Sequence, residues 1–430
     1  MPSFSQITLH NGHLCRLSLG SHWALGAWAI LSLLGVCALL ANAPAPRRVL
    51  LSLVLLVWIV EWVQRSRIRS LSLPFIPWVV VVLLSSMWSL APMTTGVDAL
   101  QEVVSPIAAG LLASSLASRL ERRHLWWPFV LLVVAAVFAG LGALHVHAGY
   151  WTSAPKWLVG AYAGRGVAST LGVFLSLAGV AFLVLNWTRQ TSTKRRLLFL
   201  GCCLLMLGLL LGTLGHNRMF WFALLIGLLP WFLLLGRGSL KRKLGLGGGL
   251  LVVFFAGTIY SSYVAKTQFE PAAEQVVTQI GASYASDPRW LLWHSWLPVA
   301  EERPLAGFGY GSRILPMIGT ERVSTGSPAL DVAAKHHAHN VLFNIVIQTG
   351  LAGLFCFLIA MFGVWRLAFG EMKLAGSAAI KWRVAAISLL LGGLSKSMTD
   401  DFFWGPAGIV MWLLIGIMTG IGRRTEQEDK

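Results

Sequence analysis

Repeated apolar segments constrain the fold of this chain more than any other feature of its 430 residues. Each segment has roughly the ~20 residues that a helix needs to cross about 30 Å of hydrocarbon. A backbone exposed to lipid must satisfy its own hydrogen bonds, so segments of this kind are helices. With 56% apolar and 12% charged side chains, the composition lies far outside that of soluble domains. The sequence predicts an all-α polytopic membrane protein of about 12 spans, near residues 22–41, 48–64, 72–91, 98–117, 125–147, 166–187, 197–214, 219–235, 244–264, 340–365, 384–397 and 405–422.

Basic residues indicate how these spans are oriented. Lys and Arg collect in every second connection, as in the ranges 65–69, 119–123 and 194–196. Short loops rich in Lys and Arg stay on the cytoplasmic side of a membrane, so both termini are predicted to be cytoplasmic. The net charge of +17 then reflects topology and contact with the anionic headgroups of membrane lipids, and nucleic acid is not an expected partner.

One polar stretch, residues 265–339, interrupts the apolar sequence between the ninth and tenth spans and is predicted to lie on the outer face. It divides the chain into residues 1–264 with nine spans, the outer loop 265–339, and residues 340–430 with three spans. Within the loop, Asp287 and Pro288 predict a helix start, and Arg303-Pro304 predicts its end. The glycines between 307 and 311 predict a tight turn with exposed backbone.

Two arginines on the predicted outer face have the chemistry to bind a phosphate. Arg218 follows a turn that contains His216 and Asn217 and begins a span, whereas Arg289 begins the predicted loop helix. A guanidinium donates two parallel hydrogen bonds to an anion, and free N–H groups at a helix start add to the attraction. A snorkelling or salt-bridged arginine is the alternative at either position.

Three histidines, His336, His337 and His339, immediately precede the tenth span. Histidine, with an unperturbed pKa of ~6.5, can take a proton from a sugar hydroxyl. His339, nearest to the membrane entry, is the candidate general base, and His337, Asn340 and His216 are candidate auxiliary residues. Two alternatives stay open: a metal site built from the three histidines, which no acidic D-x-D cluster accompanies, and a structural histidine at a helix start.

The order and spacing of these residues resemble the bacterial O-antigen ligase family, a group of membrane glycan ligases. The resemblance covers the whole predicted topology, with one large outer loop between the ninth and tenth spans. At Asn217 the chain departs from the family, in which serine is common at that position. The local marks are His339-Asn340 followed after nine residues by Gly350 and Gly353, the arginine after the turn at Thr213 and Gly215, the Arg289 helix, and the run from Pro304 to Gly311. Close helix packing is the expected role of the pair Gly350 and Gly353.

The resemblance implies a function, a location and a GT-C-like fold. It implies an inverting, metal-independent transfer of polysaccharide from undecaprenyl pyrophosphate to a sugar hydroxyl of lipid A-core, with no cofactor. The reaction would take place on the periplasmic face of the bacterial inner membrane. Arg218 and Arg289 would bind the pyrophosphate, and His339 would act as general base.

Two rival functions are weighed against this one. An O-antigen polymerase uses the same donor, but such enzymes tend to have two large outer loops with R-x10-G repeats, which this chain does not show. A transporter or flippase would place ionisable groups inside its spans. Glu61 and Glu102 lie inside predicted spans, whereas Lys396, Asp400 and Asp401 cluster at an outer span end, where pairing of Lys396 with an aspartate is the alternative.

Overall fold

Every regular element of the computed structural model is a helix within the residues that it describes. These are residues 5–40, 44–121, 124–148, 165–186, 192–215, 217–235, 245, 248–261, 263, 289–326, 331–332, 334–369, 377–399, 401, 403 and 405–428. In chain order the helices are α1 (Ser5–Leu39), α2 (Pro44–Gln64), α3 (Ser66–Ser72), α4 (Ile76–Leu84), α5 (Pro92–Asp98), α6 (Ser105–Ala117), α7 (Trp127–Ala148), α8 (Arg165–Asn186), α9 (Ser192–Leu214), α10 (Arg218–Leu235), α11 (Gly248–Ser261), α12 (Arg289–Glu302), α13 (Ile314–Arg322), α14 (Val341–Phe369), α15 (Ser377–Ser397) and α16 (Gly405–Glu428).

Nine helical segments of the described chain are long and apolar enough to cross a membrane. They match nine of the predicted spans, so the all-α membrane class is confirmed and the count of 12 is not. The other three predicted spans, 48–64, 219–235 and 244–264, correspond to α2, α10 and α11. The apolar parts of α10 and α11 are shorter than a full span, and α2 contains Arg47, Arg48 and Glu61.

Two spans that look short in the sequence are longer in the structure. The segment predicted at 98–117 extends over Pro92–Ala117, because the π-helical turn Ala99–Val104 joins α5 to α6. The segment predicted at 384–397 begins at Ala378. Arg383, which makes that part of the sequence look like a loop, is buried and donates a hydrogen bond to Glu426 of α16. A charge that is paired inside the protein does not end a span.

Small residues let the central helices approach closely. A Cβ atom added to Gly416 of α16 would lie 2.0 Å from the carbonyl oxygen of Gly110 in α6, and one added to Gly179 of α8 would lie 2.5 Å from the amide nitrogen of Leu205 in α9. Membrane helices associate through such contacts, because lipid is as apolar as leucine and packing has to supply the attraction. Close backbone packing therefore joins α6 to α16 and α8 to α9.

Ion pairs tie the helices together at the end that carries the basic clusters. Glu61 of α2 is buried and lies 2.6 Å from Nε of Arg65 and 2.9 Å from a terminal guanidinium nitrogen of Arg119. An ionised carboxylate inside a helix bundle needs such partners, since burial without them costs several kcal/mol. The position of Glu61 in a predicted span is therefore explained by helix pairing.

Candidate functional site

The helix α14, which begins at the predicted site, is broken at Gly350. The backbone of Gly350 has φ 70° and ψ −174°, a conformation that only glycine adopts readily. A Cβ atom at this position would also lie 2.1 Å from the carbonyl carbon of Leu305. The expectation of plain helix packing is thus wrong for Gly350, which allows another backbone to enter the helix.

The segment that enters is residues 303–312, called the strap below. Breaking a helix leaves N–H and C=O groups without partners, and a membrane offers no water to satisfy them. The strap supplies both kinds of partner, so that the break is closed by backbone from a distant part of the chain. The bonds run from Leu351 N to Pro304 O (2.8 Å), Ala352 N to Leu305 O (3.4 Å), Phe308 N to Ile347 O (3.0 Å) and Gly309 N to Gln348 O (2.8 Å).

The opposite edge of the strap is held by the α4–α5 region. The hydroxyl of Ser85 accepts a hydrogen bond of 3.0 Å from the amide of Tyr310, and Asp98 accepts two bonds of 2.8 Å from the amide and hydroxyl of Ser312. Gly307, Gly309 and Gly311 all have positive φ, as the glycine-rich sequence predicts, but residues 307–311 are buried, so the prediction of exposed backbone is wrong. The strap is therefore clamped on two sides.

Tyr310 adds a side-chain anchor to this clamp. Its ring packs edge-on against Trp78, with 6.4 Å between ring centroids, and its hydroxyl lies near Glu102. Burial raises the pKa of Tyr310 well above the ordinary value, and the nearby carboxylates act in the same direction. The tyrosine hence stays neutral. Glu102, one of the ionisable residues of the predicted spans, thus lies beside the strap.

A small hydrophobic core, separate from the main core of the bundle, joins the strap to the helices of the loop. It connects α12 and α13 with the chain just before His339 and with the first half of α14. The indole N–H of Trp296 donates a 3.0 Å hydrogen bond to the carbonyl of Ala334. Its members are Leu292, Trp296, Val299, Ala300, Phe308, Ile314, Leu315, Ile318, Val323, Ala334, Ala338 and Ile347.

His339 lies in a strained turn next to this core. It is the one non-glycine residue of the described chain with positive φ, at 52°. Its backbone N–H donates a 3.0 Å hydrogen bond to Nδ1 of His337, and the centroids of the two rings are 4.0 Å apart. His336 is exposed, whereas His337 is half-buried against His339.

Two asparagines fasten the His339 turn to the connection between α15 and α16. Asn340 caps α14, since its Oδ1 accepts bonds from the amides of Leu342 (3.0 Å) and Phe343 (3.2 Å). Its Nδ2 donates to the carbonyl of Met398 at 3.1 Å. Asn344, one turn later, donates to a carboxylate oxygen of Asp401 at 2.7 Å. Neither Asn344 nor Asp401 was a predicted site residue, although an asparagine in an apolar span is a recognisable signal.

Arg218 begins α10 and is exposed. Asn217 accepts a 2.9 Å bond from the amide of Met219, so the residue that departs from the family pattern acts as a helix cap. The packing of α10 against α15 is antiparallel, because a Cβ on Gly227 would lie 3.0 Å from Ser388 O and one on Gly392 would lie 3.4 Å from Ala223 O. If this register continues, the start of α10 lies beside the end of α15. The connection from α15 to α16, residues 397–403, begins at that point.

Arg289 is half-buried at the start of α12. Leu292 and Trp296 follow it by three and seven residues, so the three side chains share one helix face. That face is the one that contributes to the small core, which also contains Ala338, the neighbour of His339. The fold thus brings the Arg289 helix and the His339 turn to one core, and the Arg218 helix to the connection that holds that turn.

Some of the predicted residues are not tested by the structure. His216 lies outside the described residues, as do Asp287 and Pro288 of the predicted helix cap. Among the residues that the structure does describe, no group of three or more His, Cys, Asp and Glu side chains has an arrangement that could hold a metal ion.

Comparison with known proteins gives a family for this region. The family model Wzy_C, described as O-Antigen ligase, matches residues 201–358. This range contains Arg218, Arg289, His339 and the strap, together with both sides of the break at Gly350. A search of curated proteins found no match. The resemblance seen in the sequence is confirmed over residues 201–358, where this membrane protein is similar to the O-antigen ligase family.

Proposed function

We propose that this chain is an O-antigen ligase. It transfers polysaccharide from undecaprenyl pyrophosphate to a sugar hydroxyl of lipid A-core, on the periplasmic face of the bacterial inner membrane. The supporting observation is the shared small core, which packs the Arg289 helix against the chain that ends in the His339 turn. A base and an anion-binding residue held by one rigid unit are what a transfer from a pyrophosphate carrier requires.

The arginines in this proposal stabilise the leaving group. As the anomeric C–O bond breaks, both bonding electrons go to the pyrophosphate oxygen, where negative charge develops. Arg218 and Arg289 donate hydrogen bonds to that charge, which makes the transfer independent of a divalent metal. The exposure of Arg218 at the start of a helix fits a ligand that approaches from outside the bundle.

His339 is the base that activates the acceptor. A ring nitrogen of the neutral imidazole takes the proton of the acceptor hydroxyl while the hydroxyl oxygen attacks the anomeric carbon opposite to the leaving group. One C–O bond forms, one breaks, and the configuration at that carbon inverts. The left-handed backbone of His339 costs of order 1–3 kcal/mol, and such strain occurs where a side chain must point in a required direction.

An in vivo experiment separates this function from its rivals. The lipopolysaccharide and the carrier-linked glycans of a deletion strain are resolved on gels. A ligase predicts long polymer that stays on the carrier with none attached to core. Single repeat units attached to core would identify a polymerase, and loss of periplasmic donor would identify a flippase.

A further inference from the structure

Asn344 is a fully buried polar residue near the start of the mainly apolar helix α14. It lies in the first turn and a half of α14, between Phe343 and Ile345, and its exposed fraction is 0%. Nothing in the chemistry proposed above uses this side chain. A buried amide lowers stability unless its donor and acceptor both have partners, so the positions of those partners reveal what it holds together.

Each end of the Asn344 amide contacts a different segment. Its Oδ1 accepts a 3.0 Å hydrogen bond from the backbone N–H of Ala338, the residue directly before His339. Its Nδ2 donates a 2.7 Å bond to Oδ2 of Asp401, in the connection between α15 and α16. The bond to a carboxylate is the stronger of the two kinds and fixes which way the amide faces. Asn344 hence holds its oxygen toward the His339 turn because its nitrogen is engaged by Asp401.

The bond to Ala338 acts on the backbone at the point where it becomes strained. Residue 338 precedes the left-handed residue His339, and a non-glycine residue keeps such a conformation only when its surroundings enforce it. The side chain of Ala338 is fixed by the small core, and its N–H is fixed by Asn344. Together these contacts set the direction in which the His339 side chain leaves the backbone.

We propose that Asn344 is a positioning residue for His339, and that Asp401 acts by holding the Asn344 amide through a hydrogen bond. This inference rests on the proposed role of His339 as base. It predicts that the rate of transfer depends on an acceptor oxygen at residue 401 and does not depend on the negative charge of that residue. It also predicts that the amide and the carboxylate can be exchanged between positions 344 and 401, because the exchanged pair makes the same two hydrogen bonds.

The test uses the purified full-length protein with undecaprenyl-pyrophosphate-linked polysaccharide and lipid A-core. Asn344→Asp places two carboxylates face to face, and we expect kcat to fall on the order of 100-fold, as for a base displaced by about 1 Å. KM for the donor should change by less than about threefold, because the arginines are untouched. The double variant Asn344→Asp with Asp401→Asn should recover at least about tenfold of the lost kcat, since both hydrogen bonds return.

Two variants outside the membrane interior keep the test decisive if Asn344→Asp does not insert. Asp401→Asn keeps an oxygen for Asn344 and should retain kcat within about threefold, whereas Asp401→Ala removes that oxygen and should lose about tenfold or more. Thr349→Val is the matched control, because it changes a buried polar residue of the same helix whose hydroxyl donates to Ile345 O within that helix. Its kcat should equal that of the wild type.

The outcomes separate this inference from the proposed function. The positioning role would be overturned if Asp401→Asn lost as much kcat as Asp401→Ala and the exchanged variant showed no recovery. That result would mean that the charge of Asp401 acts directly. Normal kcat in Asn344→Asp would overturn it as well. A fully active His339→Ala protein measured in parallel would instead refute the proposed base.

Discussion

The backbone N–H of His339 donates a 3.0 Å hydrogen bond to Nδ1 of His337, and the two imidazole rings lie with their centroids 4.0 Å apart. This bond determines the tautomer of His337, since a nitrogen that accepts a hydrogen bond carries no proton. His337 is then neutral with its proton on Nε2. Its contribution is to hold the backbone of the neighbouring turn.

A pair of substitutions at position 337 tests that contribution. His337→Asn keeps an acceptor near the place of Nδ1 and should retain transfer within about tenfold of the wild type, whereas His337→Phe keeps the ring stack but leaves the N–H of His339 without its acceptor and should lose about 100-fold. The measurement is kcat in detergent-solubilised protein. Equal activity of the two variants would show that the hydrogen bond is not needed.

The role of His339 itself is tested with glycine. His339→Gly removes the imidazole and at the same time relieves the positive φ, so the turn keeps its backbone path. We expect no detectable transfer, with donor binding within about threefold of the wild type, because a base contributes to kcat and not to donor affinity. His336→Ala, at an exposed position, is the matched control and should remain active. Transfer by the glycine variant would exclude His339 as base.

The two arginines should contribute mainly to transition-state binding. Arg218→Ala and Arg289→Ala are each expected to reduce kcat/KM on the order of 100-fold or more, and lysine should rescue poorly because it has no bidentate fork. Arg313, in the loop between the strap and α13, is a control of the same type. Activity and membrane insertion are measured on the same preparations, and near-normal transfer by either alanine variant removes that arginine from the site.

Metal dependence gives a separate test of the leaving-group chemistry. If the guanidinium groups stabilise the pyrophosphate, transfer in the presence of excess EDTA should proceed at the same rate as without it. Elemental analysis of the chelator-treated protein accompanies the rate measurement. A rate restored only by Mg²⁺ or Mn²⁺ would show that a divalent ion supplies the charge.

The break in α14 predicts a strong effect on folding. Gly350→Ala introduces a Cβ 2.1 Å from the Leu305 carbonyl carbon at φ 70°, so the strap must leave the helix and the folded protein should be lost from detergent extracts. Gly96→Ala, where an added Cβ meets nothing within 4 Å, should be extracted normally. Thermal stability measured by size-exclusion chromatography decides the question, and a Gly350→Ala protein as stable as the control would contradict the account of the break.

The sequence predicts the helices well because their signals are local. Apolar length identifies nine spans, and the end of the Arg289 helix follows from Arg303 and Pro304, which act on their own neighbourhood. The three helices that do not qualify as spans show the limit of this signal. In α2, Arg47, Arg48 and Glu61 make the sequence too highly charged to qualify as a span, although the helix is present.

The site is harder to predict, because long-range contacts decide it. No local pattern indicates that Gly350 is a helix break, because the break accommodates the backbone of Leu305, which is 45 residues earlier in the chain. An asparagine in a span is a local signal, but the partners of Asn344, Ala338 and Asp401, come together only in the folded bundle. Residue chemistry points to the histidines and arginines, and only the fold shows what positions them.

The break at Gly350 has a consequence for biosynthesis. The ribosome makes residues 304–309 before it makes residues 347–352, so the strap leaves the ribosome before the helix that it completes. On insertion, α14 has two unsatisfied N–H groups and two unsatisfied C=O groups until the strap reaches them. Insertion of this helix and folding of the preceding loop are therefore one coupled event, and a chain truncated before Gly350 would deliver the strap without the N–H groups of Leu351 and Ala352 that bind its carbonyl groups.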